Sequence, residues 1–315
     1  MGETALPTIA VFTKNRSNPA YAAARLGADR TAQRLGARTV HYVPRKPDDI
    51  DEQIALIDAA LRPTGENIAG RCAQRPDAMV LVPVHPTAIN ESIRKINAAG
   101  VPIFGFINRF TKPQAIVSFV GSEDYPLAFR IATYLCEHLK ARGSIVIAEG
   151  PPESVSSIER VRGFHDALCN FPHIRVAASI RGDFLRDETL RAGAALLESA
   201  VPFDAILAAN DVMALGMLEL LDAAARSSVI VGINAVPDAI TAIRHGRLLA
   251  TVDFDAMKMG CLATEAAIRH LRGEMVPKEI MLPVQIVDRA NCAHWDKPFE
   301  ARECPRWEDV VREGT

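Results

Sequence analysis

Short β-rich runs alternate with helical periods along most of this 315-residue chain, and that rhythm limits the possible folds more than any other feature. The runs are Ile9–Thr13, Thr39–Val43, Ala78–Pro83, Pro102–Ile107, Ile116–Val120, Ser144–Ala148, Ile174–Ile180, Ala205–Ala209, Val229–Ile233 and Leu249–Asp253. Between them, apolar residues recur at spacings of three and four, which puts each set on one helix face. Such sets are Ile50, Ile54, Ile57 and Leu61; Ile89, Ile93 and Ile96; Leu127, Ile131, Leu135 and Leu139; and Leu190, Ala194 and Leu197. Several strands are apolar throughout, as expected where helices cover both faces of a parallel sheet. The fold class is therefore α/β, built from right-handed crossovers. Asn18-Pro19, His85-Pro86, Asn210-Asp211 and Val236-Pro237 each follow a strand and read as helix openings. Arg62 to Arg71, with Pro63, Gly65 and Gly70, reads as a surface loop.

A chain of this length suggests two domains. Lys and Arg total 36 against 38 Asp and Glu, so no field steers the protein toward nucleic acid or an anionic membrane. No apolar run reaches the ~18 residues of a membrane-spanning helix. Met1 to Pro7 lacks the basic and apolar regions of a signal peptide, so the expectation is a cytoplasmic protein or a mature form. The six cysteines form no C-x-x-C pair and no zinc signature. Cys136, Cys169 and Cys261 read as small buried hydrophobes within helices. Cys292 and Cys304 flank a polar tail segment with Pro298 and Pro305, and are expected either to form a disulfide or to stay as two thiols.

Dinucleotide, P-loop and serine-hydrolase glycine motifs are absent from the sequence, as is metal-type histidine spacing. No catalytic residue, cofactor or metal is expected, and the balance moves toward binding. In open parallel sheets ligands gather beyond the carboxyl ends of the strands. The residues there are Asn18 and Tyr21; Asn108 and Arg109; Arg160; Phe184; Asn210 and Asp211; Asn234; and Asp253, Phe254 and Asp255. Amides, guanidinium groups and carboxylates hydrogen-bond vicinal hydroxyls, and aromatic faces cover the C–H face of a sugar ring. Taken singly, each asparagine also fits as a helix cap and each aromatic as core.

Five phrases sharpen this reading. They are Ser17-Asn18-Pro19-Ala20-Tyr21, Ile158-Glu159-Arg160-Val161-Arg162-Gly163-Phe164, Asn210-Asp211-Val212-Met213-Ala214-Leu215-Gly216, Val231-Gly232-Ile233-Asn234 with Pro237-Asp238, and Leu249-Ala250-Thr251-Val252. Together they resemble the type I periplasmic sugar-binding proteins, typified by the ribose-binding protein, from about Thr8 to about Val287. The resemblance implies two Rossmann-like lobes with parallel sheets flanked by helices, joined by a three-strand hinge near Ser122, Phe254 and Pro283. One lobe is expected to comprise residues 1–121 and 255–282, the other residues 122–254 and 283–315. The implied ligand positions are Asn18, Tyr21, Asn108, Arg109, Arg160, Phe184, Asn210, Asn234 and Phe254.

Asn108 and Asn234 stand where the ribose binder has aspartates, Phe254 where it has a glutamine, and Ala20 where it has a ring. These departures leave a neutral polyol or a different sugar, or a sugar acid paired with Arg109 or Arg160. Asp211, Asp253 or Asp255 would balance the arginines in the neutral case. The implied role is the solute-binding component of a carbohydrate ABC importer, closing on its ligand and serving a membrane permease. It would be periplasmic, monomeric and without a nucleic-acid partner, its signal peptide removed. The alternative is the effector core of a lac-repressor-type regulator lacking its DNA-binding head.

Overall fold

The computed structural model describes residues 6–62 and 74–311; most of the loop read at Arg62 to Arg71, and Cys72, lie outside them. The first unit begins with β1 (Thr8–Phe12), α1 (Pro19–Leu35), β2 (Arg38–Tyr42), α2 (Ile50–Leu61), β3 (Ala78–Leu81), α3 (Asn90–Ala98), β4 (Ile103–Phe106) and β5 (Ser118–Gly121). The second unit follows with α4 (Asp124–His138), β6 (Arg142–Glu149), α5 (Val155–Leu168), β7 (His173–Arg181) and α6 (Arg186–Glu198). It continues through β8 (Ala205–Ala208), α7 (Asp211–Ala223), β9 (Val229–Val231), α8 (Pro237–Arg244) and β10 (Ala250–Asp253). The chain then adds α9 (Ala256–Leu271) and β11 (Glu279–Met281) to the first unit, β12 (Gln285–Asp288) to the second, and α10 (Trp307–Val310) to the first. In full, the units are Met1–Ser122 with Ala256–Leu282 and Arg302–Thr315, and Glu123–Asp255 with Pro283–Ala301.

Each unit carries one sheet with helices on both faces, and the strand orders correspond: β2-β1-β3-β4-β5-β11 and β7-β6-β8-β9-β10-β12. The order reverses between β1 and β3 in one sheet and between β6 and β8 in the other. At such switch points the neighbouring loops diverge and open a crevice. All pairings are parallel except β10 with β12, where Asp253 faces Gln285 and Ala250 faces Asp288. The parallel expectation therefore fails at that edge, because β12 arrives from outside the strand–helix alternation. Strands β1, β3, β4 and β8 are buried along their length, as their unbroken apolar runs require.

Local details follow from residue chemistry. Asn18 and Asn210 cap α1 and α7, their side-chain carbonyls accepting from the Ala20 and Met213 amides at 3.0 and 2.8 Å. His85-Pro86 opens a turn rather than a helix: His85 Nδ1 accepts from the Thr87 and Ala88 amides, and α3 begins only at Asn90. On α6 the buried stripe is Thr189, Gly193 and Leu196, one position off the expected set. A Cβ on Gly193 would meet Leu220 Cδ1 at 2.5 Å, so the helix approaches α7 through its glycine.

The tail requires two corrections. Residues 302–315 fall with the first unit, not with the second as the sequence reading assigned them. Arg30 donates to the Arg302 carbonyl at 2.8 Å, and Arg269 lies 4.9 Å from the Trp307 ring centroid and ion-pairs with Glu308. The expected Cys292–Cys304 pairing also fails. Cys292 is buried in the second unit against the Arg289 carbonyl, while Cys304 meets Cys261 of α9. Cys136 and Cys261 are buried as read, but Cys169 is exposed just past the end of α5.

Candidate functional site

Backbone strain marks the carboxyl ends of the strands in both units. Asp48, Ile107, Asp183, Phe184, Asn234, Ala235 and Asp255 all take positive φ there. A β-branched residue at φ 65°, as in Ile107, is a steric outlier held only by its surroundings. Strain of this kind gathers where loops are shaped for binding.

In the second unit, Arg160 of α5 is 4 % exposed and anchors the cluster. Its Nε donates to Asp124 Oδ1 and its Nη1 to the Ala209 carbonyl, both at 2.7 Å. Asp124, the first residue of α4, also accepts from the Ser156 hydroxyl at 2.7 Å. The guanidinium lies 5.7 Å from the Phe184 ring centroid and 4.9 Å from that of Phe254. Gly150 makes room for the first of these rings, since a Cβ there would meet Phe184 Cζ at 2.4 Å. Asn210 Nδ2 donates to the Phe184 carbonyl at 3.2 Å, joining the cap of α7 to the same cluster. The structure thus brings together four of the five residues expected on this unit. The fifth, Asn234, lies in the positive-φ bend after β9, its amide donating to the Val252 carbonyl at 2.8 Å.

Behind this cluster, three of the sequence phrases meet in one buried network. Asp211 accepts from the Thr251 hydroxyl at 2.6 Å and from the Val236 amide at 3.0 Å. Gly232 is required beside it, because a Cβ would sit 2.3 Å from Asp211 Oδ1. Full burial pushes the Asp211 carboxyl up to about 6, against the opposing pull of its hydrogen bonds and of Arg160. The carboxylate in contact with Arg160 is Asp124, whereas Asp211, Asp253 and Asp255 were the expected partners. Asp253 instead accepts from the Trp295 indole and the Asp255 amide, both at 2.9 Å.

In the first unit, buried Lys14 follows β1 and ion-pairs with Asp48 at 3.1 Å. Asn15 donates to Asp48 Oδ2 at 3.1 Å and accepts from the Asn18 amide at 3.0 Å, so these residues fix the loop leading to Asn18 and Tyr21. Asn18, Tyr21 and Asn108 are buried at the carboxyl ends of β1 and β4. Arg109 differs: it is exposed, turns along the sheet edge over the Phe119 ring, and pairs with Glu279 of β11 at 2.7 Å. Sequence reading missed Lys14, Asn15, Asp48, Asp124 and Trp295. The signal for the first two was their position, immediately after β1. Among the described residues no group of acidic, histidine and cysteine side chains could hold a metal ion, and no helix is long and apolar enough to cross a membrane.

Paired sheets of matching order, with arginine, amide and aromatic side chains at their carboxyl ends, define a two-lobed solute-binding architecture. Residues 9–275 match the periplasmic binding protein domain, and the chain belongs to that family. Among its relatives, the ribose import binding protein of Bacillus subtilis (strain 168) is 26% identical over 279 residues, covering 89% of this chain and 86% of the relative. A putative rhizopine-binding protein of Rhizobium meliloti is 29% identical over 260 residues, covering 79% and 83%. The fold is shared with an ABC transporter solute binding protein from Bacillus halodurans C-125 with bound myo-inositol. That likeness has a TM-score of 0.83 at 24% identity and covers 94% of this chain and 99% of the other.

Proposed function

We propose that the chain is the solute-binding component of a carbohydrate ABC importer, that its ligand is a neutral polyhydroxylated ring, and that it performs no chemistry on that ligand. The observation that carries this reading is the state of Arg160. Its charge is already matched by Asp124, so a ligand carboxylate would compete with a buried partner rather than supply a missing one. The hydrogen bonds of Nε and Nη1 leave the Nη2 edge of the guanidinium for ligand hydroxyls, and Phe184 and Phe254 offer ring faces to C–H bonds. Arg109 is likewise matched by Glu279. Both arginines therefore favour the neutral sugar or polyol over the sugar acid.

In this reading the ligand-binding residues are Asn18, Tyr21, Asn108 and Arg109 of the first unit and Arg160, Phe184, Asn210, Asn234 and Phe254 of the second. The protein works as a monomer in the periplasm and delivers its ligand to a membrane permease. Relatives named for ribose, rhizopine, D-apiose and xylitol support an import role over that of a regulator core.

The test is a thermal-shift screen of the full chain against pentoses, hexoses, cyclic polyols and their acids, followed by calorimetry on the hits. A ligand of the native state raises the melting temperature by mass action. A neutral ring with at least three hydroxyls is expected to bind in the micromolar range or tighter. Binding confined to sugar acids would overturn the neutral-ligand reading. Binding of no carbohydrate by the folded chain would overturn the import role.

A further inference from the structure

We propose that Cys261 and Cys304 form a disulfide that staples the carboxyl-terminal segment to the first unit. Their sulfur atoms stand 2.7 Å apart, although 42 residues separate them and the intervening segment Pro283–Ala301 belongs to the second unit. The meeting place is built by neighbouring packing. Gly27 of α1 has no side chain where a Cβ would lie 3.0 Å from Cys261 Sγ and 2.4 Å from the Met257 carbonyl, so α9 comes close enough to place that sulfur at the helix surface. Cys304 is brought to it by the Arg30 bond to the Arg302 carbonyl on one side and by Trp307 beneath Arg269 on the other.

The two thiols differ in a way that sets the order of reaction. Cys261 is buried, while Cys304 is half-buried and within 3.9 Å of the Thr31 hydroxyl. The thiol of Cys304 is brought down to about 7 by its contact with Cys261, aided by Thr31 and by the charges of Arg30 and Arg34, against the opposing effect of burial. Thiolate is the attacking form, so near neutral pH Cys304 attacks first. With a small-molecule or protein disulfide as oxidant, the Cys304 thiolate attacks one sulfur and expels the other half as a thiolate, which takes up the first proton. The Cys261 sulfur then attacks the Cys304 sulfur of the mixed disulfide, and the second half leaves and takes up the proton that Cys261 loses. Two protein thiols become one disulfide, and the oxidant is reduced to two thiols.

The chain leaves the second unit after Ala301, and the cross-link would hold that returning passage at its first-unit end. The closed loop spans α9, β11 and β12, so cross-linking constrains both of the chain's last passages between units in the unfolded state.

The experiment uses the full chain, reduced and then equilibrated with oxidised glutathione. Remaining thiols are blocked under denaturing conditions, and the protein is digested without reduction for mass mapping. The expected product is one peptide pair linking Cys261 to Cys304, with Cys72, Cys136, Cys169 and Cys292 blocked. Two blocked thiols at 261 and 304, a stable glutathione adduct on Cys304, or a Cys292–Cys304 link would each overturn the proposal. The oxidised form is expected to melt at least about 4 °C above the reduced form and to slow amide exchange in Trp307–Val310. In Cys304→Ser that difference between oxidised and reduced samples disappears. A difference that persists in the variant counts against the pair.

Discussion

The two units share a strand order but hold their arginines in opposite ways. Arg160 lies 4 % exposed in the second unit, bonded to a buried carboxylate and flanked by two aromatic rings. Arg109 pairs with Glu279 in the first unit while both side chains remain 45 % exposed. The same ion pair is therefore structural in one unit and adjustable in the other. A buried guanidinium cannot lose its partner without leaving an uncompensated charge, whereas an exposed one exchanges its carboxylate for water at little cost. Arg160 is thus held in place in the second unit, whereas Arg109 of the first can reorient.

The largest effect that would sharpen this contrast is expected from Arg160→Ala. It strands Asp124 and removes the guanidinium between Phe184 and Phe254, so the second unit should lose about 3–5 kcal/mol in denaturant melts. Ligand affinity should fall at least about tenfold in calorimetry. A loss of stability below about 1 kcal/mol would place Arg160 in the same class as Arg109 and dissolve the comparison.

The next effect is one of pH. The Asp211 carboxyl sits near 6 in the native state against an ordinary value of 3.8, so the native protein binds this proton more tightly than the unfolded chain. Its contribution is fully present below pH 4 and is lost as pH rises through 6, a fall of about 2–3 kcal/mol from this group. Asp211→Asn keeps the shape without the charge, and the Thr251 hydroxyl can reverse to accept from the new amide. Melting curves from pH 4 to 7 should show the slope flattened in that variant, and an unchanged slope would assign it elsewhere.

Gly232→Ala pushes a methyl group against the same carboxylate and should cost about 1–3 kcal/mol, measured by chemical denaturation at neutral pH. The capping asparagines test whether the units are alike at their helix starts. Asn18→Ala and Asn210→Ala should each cost about 1 kcal/mol, and a pronounced inequality would show that one of them does more than cap. The smallest effect belongs to Arg109→Ala, which should change stability by less than about 1 kcal/mol. Its measurable consequence is on ligand affinity in calorimetry.

All ten strands read from the sequence appear as strands: the central ones are buried and run apolar throughout, while the more exposed edge strands β2 and β7 are marked by their β-branched residues. The edge strands β11 and β12 were not legible this way. Glu279-Ile280-Met281 and Gln285-Ile286-Val287-Asp288 are short, polar at their ends and separated by Pro283, so nothing in their composition sets them apart from loop. The candidate site was legible in the same uneven way. Residues just after a strand could be found by position, which gave Arg160's neighbours Asn210, Phe184 and Phe254. Asp124 stands as close after β5 as Phe184 does after β7 and was open to the same reasoning; what the sequence does not show is its pairing with Arg160, 36 residues later, which only tertiary packing makes. Two cysteines in one tail suggested each other, yet Cys304 meets a helix 43 residues earlier because the tail changes unit between them.

The packing of α9 against α1 bears on how the molecule is made. Gly260 approaches so closely that a Cβ would stand 2.2 Å from the Ala24 carbonyl, and Gly27 admits α9 from the other side. The partner of α1 is therefore delivered more than 220 residues after α1 itself. A ribosome emits nearly all of the second unit, β6 through β10, before it emits the helix that closes over α1 and the strand β11 that completes the first sheet. The half of the protein that begins first finishes last. Until α9 and β11 emerge, the apolar face of α1 and the edge of β5 stay uncovered, and that interval is when a chaperone would find the nascent chain easiest to hold open.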